Sequence, residues 1–419
     1  MGLYFVKSGN IVVHHGVYNS NSLVDSKCSL IKLNATVKRS RLSSSLDPLP
    51  SSKSSVESTN QSKTFQWKGL RVLEKGVAFG SLVKTARFFW RTFWLVMMAE
   101  LAPVSSSGDY TRPSSQFTLD DSQIHALVDS KLNDLKEKRS IFRLYAGKAC
   151  PWCHRVLIAR ALQGLDEVVE LVELEPSDSG AWRVSDGKSE TEKVDLRAVY
   201  RAAEKGYSGR CTAPLLVDSK SGQILCNESS NIVRLLSIIS ASSSTEPEMR
   251  NTLLFNQPKF DSDASLLRSN EELDELLQVI FQNVNNGVYK CGFARSQDAY
   301  DRAVNSLFMT LDELETRLSQ HRYLLGKELT EADVYLFPTV FRLDAVYNPL
   351  FRCTLKRIDS HYPNLLNWMR DVYQNHGIPD TCDLSATLNQ YFTNLFPLNP
   401  SGFVPAAPEI DLLLPHNRA

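Results

Sequence analysis

The chain has 419 residues, 42% hydrophobic and 22% charged, with 47 basic side chains balanced by 47 acidic ones. This is the composition of an ordinary globular protein with ample core-forming capacity and two to three domains. The balance is uneven: residues 1–99 hold 14 Lys and Arg against 4 Asp and Glu, which leaves 33 against 43 for the remainder. The larger part is mildly acidic, which excludes the basic footprint of a nucleic-acid partner.

Residues 1–62 are rich in Ser, with Asp25, Asp47 and Glu57 their only carboxylates. Such a stretch cannot bury enough apolar surface to fold, and it has the character of an organelle transit peptide, of the plastid rather than the mitochondrial kind because Arg is sparse. Chloroplast localisation is the expectation, with mitochondrion or cytosol and a plain solvated tail as the alternatives. Residues 63–118 follow as a basic aromatic segment and linker. Between 66 and 98, Trp67, Phe79, Phe88, Phe89, Trp90, Phe93 and Trp94 interleave with Lys68, Arg71, Lys75, Lys84, Arg87 and Arg91. No uncharged run approaches the ~18 residues needed to span a bilayer. A weak membrane-surface contact, a part of the import region and docking on the body are three readings of this segment. Pro103 to Ser115 has linker composition, and Ser122 to Lys138 reads as a polar helix.

Alternating Ile141, Arg143 and Tyr145 form a strand broken by Gly147, and Cys150-Pro-Trp-Cys-His-Arg155 follows, with Pro151 where a first helical residue tolerates proline. Cys150 therefore stands at a helix start. There, unpaired backbone N–H groups and the helix dipole stabilise a thiolate and lower a free-thiol pKa of roughly 8.5 to about 3.5–7.5. As C-x-x-C between a strand and a helix this is a thioredoxin-like thiol-transfer site. The string is also a c-type haem attachment signal, and two thiols with a His could form part of a zinc site, though no second Cys or His pair completes a tetrahedron.

Val168 to Leu174 reads as a buried strand, a polar insertion with Trp182 follows, and Val194 to Lys205 has helical spacing. Pro214 to Asp218 and Ile224 to Cys226 pair as strands across the turn Ser219 to Gly222, and Asn227-Glu228-Ser229-Ser230 starts a further helix. The order is βαβαββα, and with a Cys at the first helix, a proline before the third strand and a capped Glu-Ser at the last helix it reads as a glutathione-binding thioredoxin fold. A proline after Ala213 can take the cis form and expose the Ala213 backbone. Ser229 offers donors to a carboxylate at a helix start, and Glu228 accepts from an ammonium, which together fit a γ-glutamyl α-amino acid; a bare helix cap is the plainer reading. From Glu248 the pattern is helical only, with Thr330 and Asp333 as a capping box. The remaining cysteines, Cys28, Cys211, Cys226, Cys291, Cys353 and Cys382, fit no disulfide framework and suit a reducing compartment.

These motifs together resemble the xi class of glutathione transferases, the glutathionyl-hydroquinone reductases, over about Leu101 to Arg418. Cys150-Pro-Trp-Cys-His-Arg155 is similar to the family's Cys-Pro-Trp-Ala-His-Arg, Arg210-Cys-Thr-Ala-Pro214 to Arg-Val-Thr-Val-Pro, and Asn227-Glu-Ser-Ser230 to the same string. Asn286-Gly-Val-Tyr289, Gly292-Phe-Ala294, Tyr323-Leu-Leu-Gly326, Arg342 to Tyr347 and the tail Leu398-Asn-Pro400 to Val404-Pro405 are similar too. Cys153 stands where the family has Ala, and Gln390-Tyr391-Phe392 where it has His-Tyr-Tyr.

The resemblance implies an α/β thioredoxin-like N-terminal domain (119–245), an all-α C-terminal domain (246–395) and an extension (396–419), in a homodimer. It implies an enzyme with glutathione as co-substrate, no metal, and glutathionyl-hydroquinones as small-molecule substrates. Cys150 and Tyr289 would be catalytic, the latter handling the proton at the hydroquinone. Tyr347 and Tyr391 would lower the pKa of Cys150, and Trp182, Arg210, Cys211, Thr212, Ala213, Pro214, Glu228 and Ser229 would hold glutathione. Cys153 would be a possible redox partner of Cys150. The rival readings are a conventional glutathione transferase, which needs a Ser or Tyr rather than Cys150, a dithiol glutaredoxin-like oxidoreductase, and a glutathione- or quinone-binding protein without turnover.

Overall fold

The computed structural model describes residues 79–137, 139–177, 181–185, 194–243 and 264–418. The transit-peptide-like segment 1–62, the aromatic segment up to residue 78 and the domain boundary near 245 lie outside the described residues. Of the described residues, 79–90 fall in one unit and 91–418 in another.

Helix α1 spans Phe79–Leu101. In its second half Met98 and Leu101 are buried, and the Trp94 indole N–H donates to the Pro397 carbonyl at 2.9 Å. Part of the basic aromatic segment thus belongs to the body. The stretch from Pro103 to Ser115 is no linker either. Val104 bridges to Tyr110, and both Asp109 carboxylate oxygens accept from Arg302 at 2.8 Å. Helix α2, Asp121–Lys136, opens with a capping box between Asp120 and Gln123 and buries Ile124, Val128 and Leu135.

The sheet consists of β1 (Phe142–Ala146), β2 (Val169–Pro176), β3 (Trp182–Val184), β4 (Leu215–Asp218) and β5 (Ile224–Cys226), in the order β3-β2-β1-β4-β5. Only β1 and β2 run parallel, Leu144 standing opposite Leu171, because helix α3 (Pro151–Leu162) makes the crossover between them. β4 is antiparallel to β1, with Leu216 opposite Leu144. The stretch read as a polar insertion supplies β3, an antiparallel edge strand pairing Trp182 with Pro176. Helices α4 (Leu196–Ala203) and α5 (Ser229–Ser243) complete this layer, α5 packing against α2 and α3.

The C-terminal region is helical: α6 (Ala264–Val279), α7 (Gly287–Phe293), α8 (Gln297–Leu318), α9 (Glu331–Arg342), α10 (Asn348–Phe351), α11 (Ile358–His361), α12 (Pro363–Tyr373) and α13 (Leu384–Asn394). Two π-helical segments, Ile280–Asn285 and Leu343–Tyr347, interrupt the α-helical register. The one after α9 carries Tyr347, and the other leads into α7, which carries Tyr289. Such wide turns re-aim the side chains beyond them and recur at functional sites. The extension lies along α12 and α8: Arg370 and Gln374 donate to the carbonyls of Asp411 and Leu412, and Arg418 donates to that of Leu318.

Candidate active site

Cys150 is the residue before α3, in extended conformation, and its side chain makes no cap bond to the helix backbone. It is 2% exposed. Burial alone would push its thiol up. The hydrogen bond from the Cys153 thiol counters this foremost, with the positive end of α3 adding to it, and the pKa falls below the usual thiol range. Cys153 moves the other way: burial and the neighbouring Cys150 raise it well above that range. The pair is therefore divided into a thiolate and a thiol that donates to it.

The turn ahead of Cys150 is close-packed. A Cβ at Gly147 would stand 2.5 Å from the Trp182 ring and 2.7 Å from the Leu174 carbonyl, so only glycine lets β3 close over this turn. Trp182 thus supports the turn from behind, its indole N–H buried without a partner among the described residues, and it is not among the residues lining the pocket beside Cys150.

Three stretches of the chain wall that pocket. One wall is Arg210, Thr212, Ala213 and Pro214, reached from Cys150, whose Sγ stands 3.9 Å from the Ala213 carbonyl oxygen; the Ala213–Pro214 bond is cis. Glu228 and Ser229 form a second wall at the start of α5. Cys211 falls outside, its thiol turned toward the Gly209 carbonyl at 3.9 Å. The third wall is the stretch Arg112 to Ser115, which composition had presented as a linker. Nothing local in a Ser- and Pro-rich sequence announces that role. The signal that could have found it is the lone Arg112 beside Pro113.

Charge is arranged across this pocket. The Ser115 hydroxyl donates to Glu228 at 2.7 Å, and the Arg112 guanidinium lies 3.8 Å over the Trp152 ring. Burial would raise the Glu228 carboxyl, but Arg112, Ser115 and Arg155 hold it below the usual carboxylate range. It is an anion in a closed setting, ready for a cationic partner. Two buried donors, Arg112 Nη1 and Trp152 Nε1, have no partner among the described residues. Unmet donors of this kind are costly unless an acceptor-rich ligand reaches them. A molecule bearing an ammonium and carboxylates satisfies both conditions, and glutathione has that donor and acceptor set.

Tyr289, Tyr347 and Tyr391 meet beyond Trp152. Tyr289 and Tyr391 hydroxyls are 2.6 Å apart, those of Tyr347 and Tyr391 3.2 Å, and the Tyr289 ring stacks on Trp152 with centroids 6.3 Å apart. Burial raises the pKa of all three, and the Cys150 charge raises Tyr289 and Tyr347 further. The phenols keep their protons and act as donors. Gln390 and Phe392, beside Tyr391, are buried with it.

His154 and Arg155, which end the Cys-Pro-Trp-Cys-His-Arg motif, divide. His154 Nδ1 accepts from Arg342 Nη1 at 2.8 Å, so its proton sits on Nε2, toward Thr381 Oγ1 at 3.1 Å. Burial and the Arg342 charge hold its pKa well below the usual range, and it is a neutral strut. Arg155 donates to Asn285 and lies 4.0 Å from the Tyr335 ring. No group of three His, Cys, Asp or Glu side chains is gathered for a metal among the described residues.

A thioredoxin-like layer with a cysteine at its first helix, joined to a helical region that completes the site, is the architecture of a cysteine-dependent glutathione transferase. The family of glutathione S-transferase N-terminal domains matches residues 149–237, and that of the C-terminal domains matches 297–371. The chain is 38% identical to the glutathionyl-hydroquinone reductase YqjG of Escherichia coli, over 66% of this chain and 82% of that protein. It is 37% identical to the glutathionyl-hydroquinone reductase PcpF of Sphingobium chlorophenolicum, over 64% and 82%. The glutathione-bound structure of YqjG superposes with a TM-score of 0.59 at 36% identity, covering 67% of this chain and 88% of that one. The chain belongs to the xi-class glutathione transferases, the family of the glutathionyl-hydroquinone reductases.

Proposed function

We propose that the protein is a glutathione-dependent glutathionyl-hydroquinone reductase with Cys150 as its nucleophile. The observation that carries this reading is a lowered thiol at an uncapped helix start, beside a pocket with unmet donors and a buried carboxylate.

The Cys150 thiolate attacks the sulfur of the thioether. An S–S bond forms, the ring C–S bond breaks, and its electron pair takes a proton at the ring carbon to release the hydroquinone. A second glutathione attacks the mixed disulfide, giving oxidised glutathione and restoring the thiolate. Splitting the transfer into two displacements lowers each barrier. Tyr289, with Tyr391 and Tyr347 behind it, supplies hydrogen bonds and the proton at the ring, a task suited to phenols that stay protonated. Glu228 takes the ammonium of glutathione, while Arg112, Arg210 and the start of α5 at Ser229 take its carboxylates. Trp182 contributes by packing on the turn that carries Cys150.

The test is release of menadiol from glutathionyl-menadiol in the presence of glutathione. Conjugation of glutathione to an electrophile without such release would favour the conventional transferase. A second reading rests on the hydrogen bond from Cys153 to Cys150. Cys153 could displace glutathione from the mixed disulfide, leaving a Cys150–Cys153 bond that a further thiol reduces. Mass spectrometry of the alkylated, peroxide-treated protein should then find that disulfide, whereas a glutathione adduct alone would reject it.

The family architecture supports a homodimer, which sedimentation measures. The Ser-rich, acid-poor start supports plastid import; residues 1–62 fused to a reporter should reach plastids, and a cytosolic reporter would reject it.

A further inference from the structure

Helix α1 supplies no lining residue of the pocket beside Cys150 and no member of the tyrosine cluster, and its apolar and basic side chains occupy different faces. Leu82, Ala86, Phe89, Phe93 and Val96 follow one another at helical spacing along one stripe, flanked by Val83 and Trp90. The large members are all exposed, from 41% at Val83 to 66% at Phe89. Lys84, Arg87 and Arg91 form a second stripe on the opposite side of the helix, bordered by the exposed Phe88, and residues 79–99 contain no Asp or Glu. The Trp94 indole is spent on Pro397, and Met98 and Leu101 are buried, but Phe93 (55%) and Val96 (59%) remain open.

Bulky aromatics exposed in a row are uncommon on a soluble protein and mark a contact surface. Charge decides between occupants. A stripe of cations with no acid among them selects an anionic surface, and an apolar stripe on the other face of the same helix needs that surface to be apolar just beneath. A bilayer containing anionic lipid offers both, with Trp and Phe suited to the headgroup boundary. No helix of the described residues is long and apolar enough to cross a membrane. We propose that α1 lies in the plane of an anionic membrane surface, with Phe89, Trp90 and Phe93 inserted and Lys84, Arg87 and Arg91 at the headgroups.

The experiment is co-sedimentation of the full chain with vesicles of phosphatidylglycerol and phosphatidylcholine, with pure phosphatidylcholine as the control. Binding to the anionic vesicles should fall steeply with added salt and be much weaker on the control. Each cation is expected to contribute about fivefold to partitioning, so Lys84→Gln, Arg87→Gln and Arg91→Gln together should weaken it about a hundredfold. Phe89→Glu with Phe93→Glu should abolish it. Both variants should keep wild-type quinol release from a soluble substrate and wild-type circular dichroism, since α1 holds no residue of the site. The proposal is overturned if wild type stays in the supernatant at low salt, or if the variants sediment as it does. It is equally overturned if Phe89→Glu with Phe93→Glu turns a dimer into a monomer while neither form binds vesicles, which would make the stripe an interface between two copies of the chain.

Discussion

Two helix starts in this protein have opposite fates. At α9 the start is closed on itself: Asp333 Oδ2 accepts from the Thr330 backbone N–H and hydroxyl, each at 2.9 Å, while Oδ1 accepts from Leu324 N–H at 3.0 Å and the Trp368 indole at 2.8 Å. At α3 the position before the helix is Cys150, with no side-chain cap, so the donors of the first turn are left to the sulfur. A helix start whose own carboxylate ties it to the surrounding chain fixes a fold, whereas one whose first turn faces a thiol makes a nucleophile. A helix start is chemically active where the sequence declines to cap it.

The contrast can be broken from either side. Cys150→Ser should lower quinol release at least about a thousandfold with thermal stability nearly unchanged, because a serine hydroxyl is not ionised at this helix start. Full activity in that variant would end the mechanism. Asp333→Ala should do the reverse: it strands four buried donors and should cost about 4 kcal/mol in urea unfolding, while whatever remains folded keeps its kcat. Loss of kcat without loss of stability would show that the two starts are not separate in function.

Cys153→Ala sharpens the comparison, since it removes the thiol that donates to Cys150 and leaves the backbone donors in place. Cys150 is an acid whose pKa is lowered, so its thiolate is full above that pKa and is lost as pH falls through it. The acid limb of iodoacetamide alkylation should move up by about one pH unit in the variant. No movement would assign the lowering to the helix backbone alone. The smallest effect concerns Glu331, in the first turn of α9 and buried, which burial raises to about 7 against the pull of Arg234. Here the folded state binds the proton more tightly, so stability is full below the unfolded carboxyl pKa and declines as pH rises through about 7. Glu331→Gln should raise Tm at pH 8 by a few degrees and change little at pH 4, as melting curves at the two pH values would show. An equal shift at both would mean packing rather than charge.

Both helix starts were legible in the sequence, because caps and their absence are written within four residues: Cys150-Pro151 on one side, Thr330 and Asp333 on the other. Pro214 ahead of β4 and the turn from Ser219 to Gly222 were legible for the same local reason. What escaped depends on distant partners. Ser115 meets Glu228 across 113 positions and Asp109 meets Arg302 across 193, so a Ser- and Pro-rich stretch with linker composition became a wall of the pocket. β3 is three residues long and is held by pairing with β2, too short for any alternation to declare it. The π-helical segments before Tyr289 and through Tyr347 are departures from a period, which a search for that period passes over.

Arg342 gives the site a further property. It is wholly buried at the end of α9, and it donates to the Lys148 carbonyl at 2.8 Å, just before Cys150, and to His154 at 2.8 Å, just after. The turn that bears the nucleophile is thus gripped from the half of the chain that does not contain it. The Cys-Pro-Trp-Cys motif is consequently not a portable cassette. Transplanted into another thioredoxin-like scaffold it would bring its sulfur and its proline but leave behind the guanidinium that fixes their loop, and evolution can alter α3 freely only in step with α9.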